Sequence, residues 1–504
     1  MYGQKLLLRG GTLIDGTGAP AQRGDLLISG DAIEAVGKFD PPSGIPSIDC
    51  TGMAISPGFI DAHSHSDLQV LGEKTEKLQQ GVTAEVVGNC GFSPYPASEH
   101  RHELHQFANG IFCGDDSWGW KTAHEYLADI QRKGKHATVG SLIGHGSLRI
   151  AAAGNKMGAL TSAELERMEG MLADALAGGA TGFSTGLMYA PGSSAPFGEL
   201  ERLCSIVARS GKIYCTHIRD YSFHLSEAVD EQLELARRTG CRLQISHLQT
   251  TGRMNWGKQQ QVVEKIEAAR NEGVDVAFDC YPYIAGSTVL TQLLPQDTLD
   301  GGTEKLMERL ASPPEREKIA KRTLEKLPHR WCDVLISAVG SSANKRFIGM
   351  TIEEAAQERH EQPIDTMLNL LAEERGEVNM ISFNQSEENL RQTLTHPLAI
   401  VISDGFYVKG RPHPRLYGTF PRLLGFVARE NKWMTLEEAV HKITGRPAER
   451  FGFEKRGFLR PSYIADLVVF DPATVDSPAT FSNPEVPPVG IRSVFRNGNI
   501  AWAQ

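Results

Sequence analysis

The segment AISPGFIDAHSH, residues 54–65, ends an apolar run with two histidines two positions apart. Side chains alternate between the two faces of an extended chain, so His63 and His65 point to the same side. Two imidazoles that leave one strand together can share one metal ion, and imidazole is a common protein ligand for zinc. On its own the pattern is a weak indication of a metal site, and its meaning depends on the rest of the chain.

Short apolar runs recur between residues 54 and 404, and each ends in polar or reactive residues. They are residues 54–62, 84–89, 137–144, 181–186, 212–216, 242–246, 274–280 and 398–403. Most are nearly continuous apolar stretches, which are typical of parallel strands covered on both faces. Intervening segments such as 162–177 and 226–238 carry the amphipathic spacing of helices. Repeated strand–helix units in this order predict an α/β fold, a (β/α)8 TIM-like barrel.

The two ends of the chain have a different character, because short alternating strands there are separated by turns that contain glycine. We expect both ends to pair in one small β-sandwich beside the barrel, since two independent appendages would leave more strand edges exposed. The predicted division is residues 1–53 and 445–504 for the sandwich and 54–444 for the metal-dependent barrel. An insertion around residues 288–350 is predicted between strands 7 and 8, and a further strand-like run at 378–383 competes for the place of strand 7.

Composition restricts the class of protein. The chain has 504 residues, 40% of them hydrophobic, and a net charge of −9, which disfavours non-specific nucleic-acid binding. No apolar run approaches the ~20 residues of a membrane span, and the first residues lead into a strand and not into a signal sequence. The cysteines show no CxxC spacing, which indicates reduced thiols. We therefore expect a cytoplasmic protein with neither a nucleic-acid nor a membrane partner, and association into a homo-oligomer stays open.

The polar residues that follow the predicted strands form a potential ligand set. They are His63 and His65 after strand 1, Cys90 after strand 2, His217 after strand 5, His247 after strand 6 and Asp404 after strand 8. In a (β/α)8 barrel these positions lie at the C-terminal face, where active sites are built. Imidazoles, a thiol and a carboxylate together suit zinc, with cobalt, nickel or manganese as substitutes.

A series of longer motifs makes the interpretation more specific. They are GFIDAHSHSD (58–67), GNCGFSP (88–94), GHGSLR (144–149), STGLMYAPG (184–192), THIR (216–219), ISH (245–247), YPYIAGST (281–288), SDG (403–405) and HPRLYGTF (413–420). In these stretches the chain resembles the amidohydrolase superfamily and, more narrowly, the N-acyl-D-amino-acid deacylase (D-aminoacylase) family. The resemblance runs through most of the chain.

The resemblance implies a particular arrangement of metal ligands. Many amidohydrolases bridge two metals with a carboxylated lysine on strand 4, but residues 182–187 contain no lysine. The family's substitute is the thiolate of Cys90. By resemblance, Cys90, His217 and His247 hold one tight zinc ion. His63 and His65 then form with Cys90 a second position that is weaker or empty.

The same resemblance implies roles in catalysis and substrate binding. Asp404 is expected to take a proton from the attacking water and to hand it to the leaving amine. Tyr189 and Tyr281 are candidate contacts for the scissile carbonyl, and Arg415 is a candidate partner for a substrate carboxylate. His145 is a further candidate for substrate contact, with a core histidine as the alternative. The predicted reaction is zinc-dependent hydrolysis of a small N-acyl-D-amino acid to a carboxylate and a free D-amino acid.

Departures from the family pattern leave alternatives open. Related deacylases often have lysine where this chain has Gln249 and glutamate where it has Tyr221, so the accepted acyl-amino acid is not defined. Another amide, such as a dipeptide or a cyclic amide, is the alternative substrate. A deaminase is disfavoured because no His-x-x-Glu follows strand 6. A non-catalytic barrel scaffold is the alternative outside enzymes, although such a protein would be expected to have lost ligands.

Overall fold

Strands and helices alternate along most of the computed structural model, which describes residues 5–114 and 117–504. In chain order the strands are β1 (Lys5–Leu13), β2 (Gln22–Ser29), β3 (Ala32–Gly37), β4 (Ser47–Asp49), β5 (Ala54–Pro57), β6 (Phe59–Asp61), β7 (Val82–Val87), β8 (Thr138–Gly144), β9 (Gly182–Gly186), β10 (Ile213–His217), β11 (Arg242–Ile245), β12 (Val276–Cys280), β13 (Gly286–Val289), β14 (Val334–Val339), β15 (Val378–Ser382), β16 (Ala399–Val401), β17 (Leu467–Phe470), β18 (Ile491–Arg496) and β19 (Asn499–Ala503).

The α-helices occupy the segments between these strands. In chain order they are α1 (Glu76–Gln79), α2 (Arg101–Ala108), α3 (Ala123–Lys133), α4 (His145–Ala153), α5 (Ser162–Ala177), α6 (Phe197–Arg209), α7 (Leu225–Thr239), α8 (Gln259–Asn271), α9 (Gly302–Ala311), α10 (Pro313–Lys326), α11 (Ile352–Arg359), α12 (Pro363–Glu373), α13 (Glu387–Thr395), α14 (Arg415–Arg422), α15 (Leu436–Ile443) and α16 (Gly445–Phe451). A π-helical segment, Leu423–Glu430, continues α14. No helix in the described part of the chain is both long and apolar enough to span a membrane.

The predicted barrel is confirmed. Its parallel strands run in the order β6-β7-β8-β9-β10-β11-β12-β16. A parallel bridge between Ser64 and Gly405 joins the segments that follow the first and last of them. Beside it, the amide of Asp404 donates a hydrogen bond of 2.9 Å to the carbonyl oxygen of His63. The strands are almost wholly buried because helices cover the outside of the sheet, which explains their near-continuous apolar sequences.

The first predicted barrel strand, residues 54–62, is two strands that belong to different sheets. β5 pairs with β1 and β17 outside the barrel, and only β6 pairs with β7 inside it. The chain crosses between the sheets at Gly58, whose amide donates a hydrogen bond to the backbone carbonyl oxygen of Asp466. A side chain at Gly58 would collide with Thr83, so the crossing requires glycine. Hydropathy does not reveal this division, because both strands are apolar and buried.

Both ends of the chain contribute to one mixed sheet, as predicted. Its strand order is β19-β18-β17-β5-β1-β2-β3, with β4 paired to β1. The antiparallel pairing of β5 with β17 joins the N-terminal to the C-terminal segment. Apolar side chains of both segments, such as Leu26 and Phe495, pack in one cluster. The boundaries 1–53, 54–444 and 445–504 stay a proposal. β5 belongs to the sheet formed by the two ends of the chain, although it lies beyond residue 53.

The insertion between strands 7 and 8 is larger than the predicted residues 288–350. It contains the antiparallel sheet β13-β15-β14 and the helices α9 to α12, which share an apolar core. The competing run at 378–383 is β15, the central strand of this small sheet, while β12 is barrel strand 7. The insertion begins soon after β12 and so lies over the C-terminal end of the barrel, where it forms part of the cavity described below.

Candidate metal centre

The side chains predicted to bind metal converge at the C-terminal end of the barrel. His63 and His65 follow β6, Cys90 follows β7, His217 ends β10 and His247 follows β11. The adjacent Asp404 follows β16. All six residues are buried. Parallel strands bring residues that are hundreds of positions apart to one rim of the barrel.

The ligand atoms lie close together. Cys90 Sγ is 3.3 Å from His63 Nε2 and 3.5 Å from His247 Nε2. His217 Nδ1 is 3.1 Å from His247 Nε2. Asp404 Oδ1 is 3.3 Å from Nε2 of both His63 and His65. One ligand atom from each of His63, Cys90, His247 and Asp404 can be chosen so that all lie within 4.8 Å of one another.

This crowding fits a metal site. Each inward-facing nitrogen, sulfur or oxygen carries a lone pair, and lone pairs 3.1–3.5 Å apart need a proton or a cation between them. The donor set of imidazoles and a thiol is one that zinc prefers. Burial lowers the pKa of His217 well below its usual value and that of His247 to about 4, so both imidazoles are neutral, as ligands must be.

The thiol of Cys90 must lose a proton before it can bind a metal, whereas the two imidazoles are already neutral. Burial raises its pKa to about 11, so the thiol keeps its proton until a cation displaces it. An isolated thiol has a lower pKa and would lose its proton to a metal more easily. The other ligands of the site must therefore supply the additional free energy of metal binding. Metal binding at Cys90 is accordingly expected to release a proton.

Three residues of the centre have a left-handed backbone. The φ angles are +53° at Cys90, +35° at His247 and +48° at Asp404. Residues other than glycine adopt this region rarely, at a cost of about 1–3 kcal/mol each, and such strain concentrates at functional sites. Here it occurs at the bends where the chain leaves a barrel strand, and it directs these side chains toward the centre.

Asp404 is held as a carboxylate. Burial alone would raise its pKa, but Arg415, His247 and His63 outweigh that effect, and the net pKa lies well below the usual range. Arg415 Nη1 is 2.9 Å from Asp404 Oδ2. This contact leaves Oδ1, the oxygen near His63 and His65, on the side of the ligand cluster.

Three of the four predicted substrate contacts, Tyr189, Tyr281 and Arg415, line one cavity above the centre, with a volume of about 290 Å³. Tyr189 packs its ring 4.9 Å from the ring of His217. The guanidinium of Arg415 stacks 4.7 Å from the ring of Tyr281. Nε of Arg415 is buried and has no hydrogen-bond partner among the described residues, so it is available to a bound anion.

His145 is not among the residues that line this cavity. Its Nε2 lies 2.8 Å from Glu199 Oε1, and Arg149 donates two hydrogen bonds to the same carboxylate. All three side chains are buried in this ion cluster. The surroundings are those of the core histidine that the sequence left as the alternative.

The two departures from the family pattern, Gln249 and Tyr221, both line the cavity. Gln249 lines the cavity, where its Oε1 accepts a 2.8 Å hydrogen bond from Tyr281 and another from Gln385. Tyr221 packs its ring 5.0 Å from that of His217, and its hydroxyl donates to the carbonyl oxygen of Ser246. Both side chains therefore face the space available to a substrate, and Tyr221 in addition supports the ligand residues His217 and His247.

One carboxylate at the centre was missed from the sequence. Asp279, on β12, accepts a 2.6 Å hydrogen bond from the amide of His247 and lies 3.5 Å from His63 Nδ1. It therefore orients two of the ligand residues, as a carboxylate behind a metal-binding histidine commonly does. A signal was present, because Asp279 is an acid near the end of the run 274–280, although Asp275 in the same run is a second acid.

A second buried cluster beside the centre was also missed. We call it the lysine cluster, and it consists of Lys77, Asp61, Glu85, Ser64 and Ser403. Lys77 pairs with Asp61, and its Nζ lies 3.3 Å from Glu85 and 2.8 Å from the hydroxyl of Ser403. Ser403 also donates a 2.5 Å hydrogen bond to Asp61. The cluster joins the first barrel strand to the last, directly behind His63 and Asp404.

Comparison with known proteins gives a consistent picture. The sequence matches the model of the amidohydrolase family over residues 47–501. It is 35% identical to a D-aminoacylase of Alcaligenes xylosoxydans xylosoxydans, over 99% of this chain and 94% of that protein. An N-acyl-D-aspartate deacylase of the same organism is also 35% identical, over 98% of this chain and 91% of the relative.

A solved structure is similar along the same length. It is the N-acyl-D-glutamate deacylase of Bordetella bronchiseptica, complexed with zinc and with a phosphonate inhibitor that mimics the tetrahedral intermediate. The TM-score is 0.84 at 34% sequence identity, covering 99% of this chain and 96% of that one.

Proposed function

The chain belongs to the amidohydrolase family, and on that premise we propose that it hydrolyses the amide bond of N-acyl-D-amino acids. The products are a carboxylate and a free D-amino acid. The observation that carries the proposal is the close approach of four imidazoles, one thiol and an ionised carboxylate, of which all but His63 line a single cavity. The names of the relatives, deacylases of D-amino-acid derivatives, support the substrate class.

Cys90, His217 and His247 would hold one zinc ion tightly, and His63 and His65 would form with Cys90 a weaker second position. The metal, when bound, supplies a Lewis acid that polarises the scissile carbonyl and lowers the pKa of a water molecule to about 7. Tyr189, whose ring packs against that of His217, would donate a hydrogen bond to the same carbonyl oxygen. Its pKa is raised far above neutral, mainly by burial, so its hydroxyl keeps the proton to donate.

Asp404 is the proposed general base and then the general acid. Its pKa is kept low, so it is ionised and can accept a proton from the water that attacks the carbonyl carbon. The same proton then passes from Asp404 Oδ1 to the amide nitrogen, and the carbon–nitrogen bond breaks to give a neutral amine. Arg415 holds Oδ2 and so leaves Oδ1 to perform this transfer.

Arg415 is the proposed anchor for the α-carboxylate of the substrate. A buried guanidinium is costly unless its donors are satisfied, and Nε has no hydrogen-bond partner among the described residues. Stacking on Tyr281 fixes the plane of the guanidinium, which favours paired hydrogen bonds to a carboxylate. The anchor places the amino-acid half of the substrate on this side of the metal centre.

We also propose the cytoplasm as the compartment of this enzyme. All eight cysteines are free, and the metal centre depends on one of them as a thiol. A reducing compartment protects such a ligand from oxidation.

The proposal is tested with N-acetyl derivatives of D- and L-amino acids, a dipeptide and a hydantoin, each with and without a chelator. We expect release of D-amino acids from the N-acetyl-D substrates, its loss on chelation and its recovery with added zinc. Preference for the dipeptide or the hydantoin would replace the proposed substrate class. A folded protein that holds zinc and hydrolyses none of the panel would favour the non-catalytic scaffold.

A further inference from the structure

A second cavity adjoins the one above the metal centre. We call it the side chamber; it has a volume of about 210 Å³. Phe92, Ile111, Tyr189 and Gln292 line both cavities and form the partition between them. The hydrogen bond of 3.0 Å between the hydroxyls of Tyr189 and Thr288 lies along this partition. The reaction as described leaves the side chamber without a role.

The partition continues an apolar wall that begins at the metal centre. Cys90, Phe92, Ile111 and Tyr189 form one contact cluster, against which Phe107 and Val289 pack. Phe107 stacks on Phe92 with ring centroids 4.3 Å apart, and both Phe107 and Val289 line the side chamber. Apolar side chains therefore extend without interruption from the proposed metal-bridging thiol to the wall of the side chamber.

The positions of the polar and apolar walls of the main cavity indicate which half of a substrate, the amino acid or the acyl chain, would face the side chamber. Arg415 and Gln249, on the polar side of the main cavity, suit the amino-acid half with its carboxylate. The acyl carbon carries two substituents that diverge, the amide nitrogen and the alkyl chain. If the nitrogen side faces Arg415, the alkyl chain faces the apolar wall of Phe92, Ile111 and Tyr189.

Size and polarity agree with an alkyl occupant. A cavity of about 150 Å³ is large enough to hold benzene, and the side chamber is larger. Its polar and charged side chains, which include Asn109, Thr303, Arg375 and Glu377, are exposed or half-buried, whereas Phe92, Ile111 and Tyr189 adjoin the main cavity. Gln292, which lines both cavities, has a buried Oε1 without a hydrogen-bond partner among the described residues.

We propose that the side chamber receives the distal carbons of the substrate's acyl group, so that this enzyme accepts N-acyl-D-amino acids with medium-length linear acyl chains. This inference rests on the proposed function. It assigns the acyl half a binding site beyond the reacting carbonyl, with Tyr189 and Ile111 at the entrance. The occupant is an aliphatic chain, because apolar side chains form the path that leads to it.

The test compares N-acetyl, N-hexanoyl and N-octanoyl derivatives of one D-amino acid, measured as kcat/KM with zinc present. We expect the hexanoyl and octanoyl derivatives to react at least as efficiently as the acetyl derivative. Met157→Trp and Thr303→Trp, at two half-buried positions in the chamber wall, should lower the hexanoyl-to-acetyl ratio at least tenfold and leave acetyl hydrolysis unchanged. Met254→Trp, at an exposed methionine that lines neither cavity, is the matched control and should keep the wild-type ratio.

A measurement on the wild type does not depend on how the variants fold. Acetate, butanoate and hexanoate should inhibit competitively, and the inhibition constant should fall about fourfold for each added methylene if the chain enters an apolar chamber. The inference is overturned if hexanoyl substrates react tenfold less well than acetyl, if folded tryptophan variants keep the wild-type ratio, or if inhibition does not strengthen with chain length. Failure to hydrolyse even the acetyl derivative would instead overturn the proposed function.

Discussion

Two buried polar clusters lie side by side at the rim of the barrel, and they are built in opposite ways. In the lysine cluster, Lys77 contacts both Asp61 and Glu85, and hydroxyl groups fill the remaining hydrogen-bond positions. In the metal centre, atoms with lone pairs face one another at 3.1–3.5 Å, and three residues have strained backbones. The first cluster is complete with protein atoms alone. The second suits a cation, which would take the place of the protons that these atoms otherwise share.

The difference assigns distinct tasks to the two clusters. A buried ion pair contributes little net stability compared with apolar packing, but loss of one partner is very costly, so such a pair fixes geometry. Lys77 fixes the first barrel strand against the last and so positions His63 near Asp404. Substitutions in the metal centre should therefore remove metal or turnover, and those in the lysine cluster should remove stability.

The largest effect is expected at the residue that defines the metal centre. Cys90→Ala removes the ligand shared by both proposed positions, and we expect the purified protein to lose its zinc and all measurable turnover. Metal content by mass spectrometry and the rate of D-amino-acid release check this. Cys204→Ala, at a buried cysteine in α6, is the control and should keep both. Stoichiometric zinc in Cys90→Ala would end the bridging-thiolate proposal.

The second prediction separates proton transfer from metal binding within the same centre. Asp404→Asn keeps the shape of the side chain but cannot accept the proton. We expect kcat to fall by about 10²–10⁴, the usual contribution of a general acid–base, while zinc stays bound. The measurement is kcat together with metal content, and an unchanged kcat would remove Asp404 from the proposed role.

The third prediction addresses the lysine cluster. Lys77→Met leaves Asp61 and Glu85 buried without a cation, and we expect the free energy of unfolding to fall by about 3–5 kcal/mol. Lys74→Met is the matched control, because Lys74 is an exposed lysine whose ion pair with Glu76 is worth about 0–1 kcal/mol and whose other contact is with the ring of Tyr407. Denaturant unfolding with zinc present compares the two. If both variants lost the same free energy of unfolding, the structural role assigned to the lysine cluster would be wrong.

The same pair of variants also has a predicted pH dependence. Burial alone would lower the pKa of Lys77, but Asp61 and Glu85 outweigh it and the net pKa is raised. A raised pKa means that the stabilising charge is fully present below the unfolded pKa of about 10.4 and is lost only above it. The stability difference between wild type and Lys77→Met should therefore stay constant from about pH 7 to 10. A decline within that range would contradict the assignment.

The smallest of the predicted effects concerns the substrate side of the centre. Arg415→Lys keeps a positive charge but loses the planar fork that binds a carboxylate. We expect KM for N-acetyl-D-amino acids to rise about ten- to a hundredfold, the value of a hydrogen bond to a charged group, with a smaller change in kcat. Steady-state kinetics on the D substrates check it. A fall in kcat alone would mean that Arg415 serves Asp404 and not the substrate.

The sequence predicted the barrel well because parallel strands covered on both faces are apolar along their length, and the ends of those strands give the ligand positions. It could not divide β5 from β6, because the crossing at Gly58 changes the pairing partners and not the hydropathy. The extent of the insertion was also hidden. β13 pairs with β15 across some ninety residues, and such long-range pairing leaves no local pattern.

The candidate site shows the same limit. Histidines after strands were visible in the sequence, and the structure places two of them, His63 and His247, in one possible metal-binding group with Cys90 and Asp404. Lys77 was not visible, because it lies in a helix of four residues and its partner Ser403 is 326 positions away. Asp279 was overlooked because it was counted as part of a strand. The role of a residue that positions other side chains depends on its tertiary contacts, and sequence motifs do not reveal these contacts.

The pairing of β5 with β17 has a consequence for biosynthesis. β5 leads within a few residues to His63, yet its partner Leu467–Phe470 leaves the ribosome only after the entire barrel has been translated. Until then, the segment that carries the first two histidines lacks a neighbouring strand on one edge. Loading of the ion is therefore expected to follow the pairing of β17, and a deletion that removes β17 would impair the placement of His63 and His65, which lie some four hundred residues earlier in the chain.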